Sequence, residues 1–240
     1  MSVIARRPGR FGFGPAGPRR ARHTVGPEQL ASLALPVGDD GVVIGVDGEG
    51  RPAVIGINRP TAYDVTLIGG LWTAQVLALR AAATGARIVV ETGRARSWTN
   101  LAQAAGGGQP CISLHEVGRV PAQGATAGSP VVVVRDCGIG PPRGRVSSGP
   151  WQSVVTLLPY LSPTAPGLME KSSLVGIQRV SPDEAAQVGQ LMRLPAGDTR
   201  ALSTLTDGVT LWCTRRDRRF AMTRATDAES GLLGSARRMD

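Results

Sequence analysis

The sequence predicts an α/β domain built in three layers, αβα, with helices on both faces of a mainly parallel sheet and a β-hairpin at each end of the folded region. Three observations predict it. Short runs that are apolar at nearly every position, such as DVTLI at 64–68 and PVVVV at 130–134, recur down the chain, and strands of this kind are buried on both faces. Helical segments separate them, the pattern of parallel strands joined by crossover helices. The 240 residues, 42% of them hydrophobic, suffice to bury one such core.

Residues 41–46 and 53–57 are apolar runs joined by Asp47-Gly48-Glu49-Gly50-Arg51-Pro52, a hairpin signal. Residues 64–68 form a strand closed by Gly69-Gly70. Residues 71–83 are apolar nearly all round, so they make a helix packed deep against the sheet, and Gly85 sits where a glycine ends a helix. Residues 87–92 are the next strand and 97–105 the next helix. Residues 111–114 and 131–134 follow as short strands. Residues 149–158 read as a helix and 174–178 as a strand. Ser181, Pro182 and Glu184 combine an N-cap, a first-turn proline and the acid of a capping box, opening a helix that runs to Met192. Asp207-Gly208 leads into a strand at 209–214, which the turn 215–219 returns as 220–223, a terminal hairpin. Thr226 and Glu229 form a second capping box. No internal repeat is visible.

Composition narrows the chemistry. The three cysteines (Cys111, Cys137, Cys213) share no CxxC spacing, and the two histidines (His23, His115) leave little for a metal site or a histidine base. Metalloenzyme and triad-hydrolase readings are disfavoured. Of 27 basic residues only Lys171 is lysine. The net charge of +9 is uneven: Arg6, Arg7, Arg10, Arg19, Arg20 and Arg22 lie in the first 27 residues, which hold no acid. Residues 1–28 therefore read as a disordered Arg/Gly/Pro-rich tail, able to contact anionic lipid or an acidic protein, and 29–240 as a single domain. No apolar stretch is long enough to cross a bilayer. Nucleic acid is disfavoured because the tail lacks interleaved aromatics and the chain lacks a recognition module.

In such sheets ligands bind where a glycine loop at a strand's carboxyl end opens a helix and turns backbone N–H groups toward phosphate. The loop here is Gly69-Gly70-Leu71-Trp72-Thr73-Ala74, which makes the domain P-loop or Rossmann-like. As a dinucleotide fingerprint it carries Leu71 where the second glycine must let pyrophosphate approach. As a P-loop it has no lysine within 90 residues, and Thr73 supplies a hydroxyl without a charged partner.

Other positions keep the P-loop order. PVVVVRD at 130–136 is an apolar strand ending in an acid, and LVGIQRVSP at 174–182 a strand ending in Gln178-Arg179. The succession strand–GG–helix, strand–Asp136, strand–Gln-Arg, spanning roughly 53–224, resembles the FtsK/HerA-type motor ATPases without their lysine. Degenerate domains of that kind occur in EccC of the actinobacterial type VII secretion machinery. The stretch from Leu71 to Trp98, with Thr92, Arg94 and Trp98 after an apolar strand, is similar to the cytoplasmic domain of EccE-type proteins of the same system, whose usual N-terminal membrane helices have no counterpart here.

These resemblances imply a non-catalytic accessory part of a type VII-like secretion machine. It would not be an enzyme and would need no cofactor. Its partners would be other subunits of the machinery, and its place the cytoplasm, at the inner face of the plasma membrane. The alternative is a nucleotide-binding protein, for Mg-ATP or NAD, whose site would comprise Gly69, Gly70, Thr73, Arg94, Asp136 and Arg179. Arg94, Arg96, Arg135 and Arg179, all at strand ends, would then rim one anion crevice, or else form a solvated basic edge. Trp72 and Trp98 are expected to pack on the sheet. Arg80, inside an apolar helix, needs a carboxylate, with Glu91 and Asp64 as candidates. His115 reads as structural, and 215–219 (RRDRR) as an exposed tip.

Overall fold

The computed structural model describes residues 41–106, 108–144 and 146–237. The tail at 1–28, its six arginines and the start of the expected domain at 29–40 lie outside the described residues. All described residues belong to one compact unit, Asp39–Asp240.

Among the described residues ten strands form one sheet: β1 (Val42–Val46), β2 (Pro52–Ile55), β3 (Tyr63–Ile68), β4 (Arg87–Thr92), β5 (Ile112–His115), β6 (Val131–Asp136), β7 (Gln152–Leu158), β8 (Leu174–Ile177), β9 (Val209–Cys213) and β10 (Arg218–Met222). Their spatial order is β2-β1-β10-β9-β8-β3-β7-β6-β4-β5. The block β8 to β5 is parallel throughout. The two hairpins, β1–β2 and β9–β10, join each other through Val46 opposite Met222 and extend the sheet antiparallel beyond β8.

Helices α1 (Leu71–Ala83), α2 (Arg96–Ala104), α3 (Ala165–Lys171), α4 (Pro182–Met192), α5 (Ala196–Ala201) and α6 (Asp227–Leu233) complete the described elements. Side-chain alternation along each strand sends residues into separate cores. Val65 and Leu67 of β3 meet Leu77, Ala78 and Ala81 of α1 on one face. Ile68 joins Met169 of α3 and Ala185 and Val188 of α4 on the other. A third cluster, Val89, Val131, Val133 and Val154, is covered by loop residues Val120, Ala125 and Val146. The αβα class is as the sequence predicts.

One element is a correction. Of residues 149–158, expected as a helix, Gln152–Leu158 form strand β7, inserted between β3 and β6. A run buried on both faces shows no period, and Val154, Val155 and Thr156 are β-branched residues suited to a pleated, crowded slot. Trp151, at φ 61, makes the turn into it. Elsewhere the capping boxes at Ser181/Glu184 and Thr226/Glu229 are both formed, and Gly85, at φ 92, ends α1.

Candidate functional site

The carboxyl edge of the parallel block is built from the ends of β3, β7 and β8. Gly69 follows β3 and donates its N–H to the Leu158 carbonyl at the end of β7 (2.9 Å). Gly70 is the N-cap of α1 and has no side chain to offer. The free N–H groups and dipole of a helix start attract an anion. Here one of them, the Gly70 N–H, meets a side chain of the chain itself. The Gln178 backbone N–H donates to the Ile68 carbonyl (2.9 Å), which brings its amide to the loop. Gln178 Oε1 accepts from the Gly70 N–H at 2.7 Å, and Nε2 donates to Thr73 Oγ1 at 2.6 Å. A Cβ at Gly69 would stand 2.5 Å from that amide oxygen, so a larger residue there would push the amide aside. Gln178 is 2% exposed. A neutral amide thus fills the cradle that the glycine loop forms.

Asp136, at the end of β6, is engaged on every side. Oδ2 accepts from Trp98 Nε1 (2.9 Å), Arg94 Nε (2.9 Å) and Thr92 Oγ1 (3.1 Å), and Oδ1 from Arg94 Nη2 (3.1 Å). The bidentate arginine and the indole together hold the strand ends of β4 and β6 against α2. Thr92, Arg94 and Trp98, singled out in the sequence through the resemblance to EccE-type proteins, act as one unit whose centre is Asp136.

The four-arginine crevice does not form as read from sequence. Arg135 is turned inward and 6% exposed, with Nε 2.5 Å from Glu91 Oε2 and Nη2 on the Pro142 carbonyl. Burial alone would raise the Glu91 pKa, but the Arg135 hydrogen bond and charge and the Gly118 N–H outweigh it and hold the carboxyl below its usual value. Burial, with the negative charge of Glu91 next in size, pushes the neighbouring Cys137 thiol up to about 12, so it is no ready thiolate. Arg179 pairs with Asp207 at 3.2 Å. What remains is a cleft of about 490 Å³ with Gly69, Gly70, Arg94, Tyr160 and Arg179 in its lining. Thr73 lies behind the Gln178 amide, and Asp136 is turned to Arg94 and Trp98.

Arg80 also differs from expectation. Its partner is neither Glu91 nor Asp64 but Glu229 of α6, reached by Nε at 2.7 Å and Nη2 at 2.8 Å, while further N–H groups hold the Val43 and Arg224 carbonyls. Asp64 instead accepts from Ser148 Oγ. Trp72 and Trp98 are buried as expected, and the His115 ring meets Ser113 Oγ in its own strand. The part played by Gln178 escaped sequence reading, although the Gln-Arg strand end was noted; the signal was a polar residue directly after a strand that neighbours the glycine-loop strand.

No protein-family model matches the chain, and no curated protein matches it. Among solved structures it is similar to VirB4 of Thermoanaerobacter pseudethanolicus, with a TM-score of 0.54 at 9% identity over 79% of this chain and 98% of that one. It is similar also to the genome packaging NTPase B204 of Sulfolobus turreted icosahedral virus 2 in complex with AMPPCP, with a TM-score of 0.51 at 8% identity over 69% and 99% of the two chains. The likeness shows the fold: a mixed, mostly parallel α/β sheet between helices, of the P-loop NTPase-like αβα kind. No relative at the level of sequence supports the EccE resemblance.

Proposed function

We propose that this chain is a non-catalytic member of the P-loop ATPase fold that works by protein–protein contact within a secretion machinery of the type VII kind. One observation carries the reading: the Gln178 amide occupies the cradle at Gly70 and Thr73 where a phosphate would sit. The donor set around it points the same way. A magnesium nucleotide needs a lysine on its phosphates and a free carboxylate or hydroxyl for the metal. The loop has no lysine, Thr73 bonds Gln178, and Asp136 is saturated by Trp98, Arg94 and Thr92. These residues do not fit the group.

The secretion setting rests on the resemblance of the strand–GG, strand–Asp136 and strand–Gln-Arg pattern to EccC-type domains, and the fold shared with VirB4 is consistent with it. Contact would run through the carboxyl edge of the sheet. Val117, Ile139 and Tyr160 each follow a parallel strand there, and all three stand out from the surface, Ile139 at 61% exposure. Apolar side chains grouped at one edge mark an interaction surface. Other subunits of the machinery are the partners, and the inner face of the plasma membrane the place. No helix among the described residues is long and apolar enough to cross a membrane.

The alternative, nucleotide binding, is favoured by the cleft itself, which has Arg94 and Arg179 in its lining beside the glycine loop. Calorimetric titration of the full chain with Mg-ATP, Mg-ADP and NAD separates the two. No heat of binding up to millimolar ligand is expected. Tight binding of any of the three would overturn the non-catalytic reading.

A further inference from the structure

At the amino end of β8, the opposite end of that strand from Gln178, a second cavity of about 480 Å³ opens between α3, the end of α4 and the β9–β10 turn. Its floor is apolar, with Val175, Leu191 and Met192, and Leu191 is 37% exposed. Its rim is basic. Arg215 is steered over it by a bond from Nη2 to the Glu170 carbonyl (3.0 Å), and Arg193 and Arg216 stand in the rim with no ion-pair partner among the described residues. Arg218, beside them, is taken up by Asp198. Among the described residues the acids in the lining are Glu170 and Asp217, against Arg193, Arg215, Arg216 and Arg218, so the rim keeps an excess of positive charge.

Arg193 sits at a telling position. It closes α4 in the left-handed conformation, φ 53, where glycine is the favoured residue. Helix termination therefore does not require an arginine there; a basic side chain is held at the mouth of the groove against the local backbone preference.

We propose that this groove docks a short acidic segment of a partner protein, which lays one or two apolar side chains on the Val175–Leu191–Met192 floor and sets its carboxylates against Arg193, Arg215 and Arg216. Charge complementarity selects this occupant. Nucleic acid is disfavoured because, among the described residues, no aromatic side chain lines the groove for a base to stack on. A membrane is disfavoured because the apolar residues lie in a concavity that a flat lipid surface does not enter. The site is independent of the proposal made for the glycine loop, and it stands whether or not that loop binds nucleotide.

The test uses the full chain and a fluorescein-labelled 12-residue peptide of glutamates with leucine at every third or fourth position, read by fluorescence anisotropy. The peptide binds, and replacing its glutamates by lysine abolishes binding. Arg193→Gly weakens it about threefold, the worth of one exposed ion pair, while the melting temperature holds or rises because glycine suits the left-handed cap. Leu191→Ser weakens it about fivefold through lost apolar contact. No binding would overturn the proposal. So would binding insensitive to both substitutions, which would place the peptide on the arginines of residues 1–28, or displacement of the peptide by a (dT)12 oligonucleotide as readily as by unlabelled peptide.

Discussion

Replacing Gln178 by alanine removes the amide that links Gly70 to Thr73. Both partners are buried, Thr73 at 3% exposure, so no bulk water takes its place at once. The Gly70 N–H loses an acceptor at 2.7 Å and the Thr73 hydroxyl a donor at 2.6 Å. A buried donor left unpaired costs about 1–3 kcal/mol, and the second bond adds about 0.5–1.5 kcal/mol, so the variant is expected to lose about 2–4 kcal/mol. For a chain of this size that lowers the melting temperature by about 10 °C. The opened cradle then offers an N–H at a helix start to an anion. Inorganic phosphate at ten times its dissociation constant would restore about 1.4 kcal/mol, whereas the native protein, its cradle filled, gains nothing beyond a matched chloride control. Gln178→Glu keeps an acceptor for Gly70 and stays nearer the native stability. Thermal melts of the three proteins with and without phosphate decide the matter. An unchanged melting temperature for Gln178→Ala, or an equal phosphate gain in native and variant, would refute the argument that the amide stands in for an anion.

Two further substitutions and a pH series test the packing. Burial alone would raise the Glu229 pKa, but the bonds from Arg80 and Thr226 outweigh it and lower it from 4.5. A carboxylate with a lowered native pKa stabilises the fold above its unfolded value and loses that contribution as pH falls through the native one. Melting temperature is therefore expected to drop below about pH 4.5, with Glu91 contributing in the same direction. Arg80→Ala leaves Glu229 buried without its partner, which costs about 3 kcal/mol at neutral pH and flattens the acid limb. An acid limb as steep as the native one would count against the ion pair. Gly176→Ala puts a Cβ 2.6 Å from the Trp212 ring, which pairs with it across β8 and β9. An overpacking cost of about 1–3 kcal/mol is expected, and a neutral melt would show that the indole can move.

Much of the architecture was legible in local signals. The apolar helix α1, its glycine stop at Gly85, the capping boxes at Ser181 and Thr226 and both hairpins depend on residues a few positions apart, and the backbone obeys such rules wherever the segment ends up. Strand β7 was not legible, because a run buried on both faces carries no period and its slot between β3 and β6 is a property of the assembled sheet. Short helices α3 and α5 gave no sequence signal strong enough to be read.

The candidate site divides along the same line. The sequence alone established that the loop at Gly69-Gly70 lacks a lysine and a second fingerprint glycine, since these are matters of identity and spacing. The resemblance to EccE-type proteins grouped Thr92, Arg94 and Trp98. Which charges meet was decided by tertiary structure. Arg80 finds Glu229 at the far end of the chain, Arg135 turns inward to Glu91, and Asp136 is consumed by three neighbours from β4, α2 and the loop that joins them. The Gln178 amide in the cradle is the clearest case. It lies more than a hundred residues from Gly70 and reaches it only because β8 pairs with β3 in a register that carries Ile177 beside Ile68. Pairing in a parallel sheet joins segments that no local rule relates, so the residue that fills the loop becomes visible only once the strands are side by side.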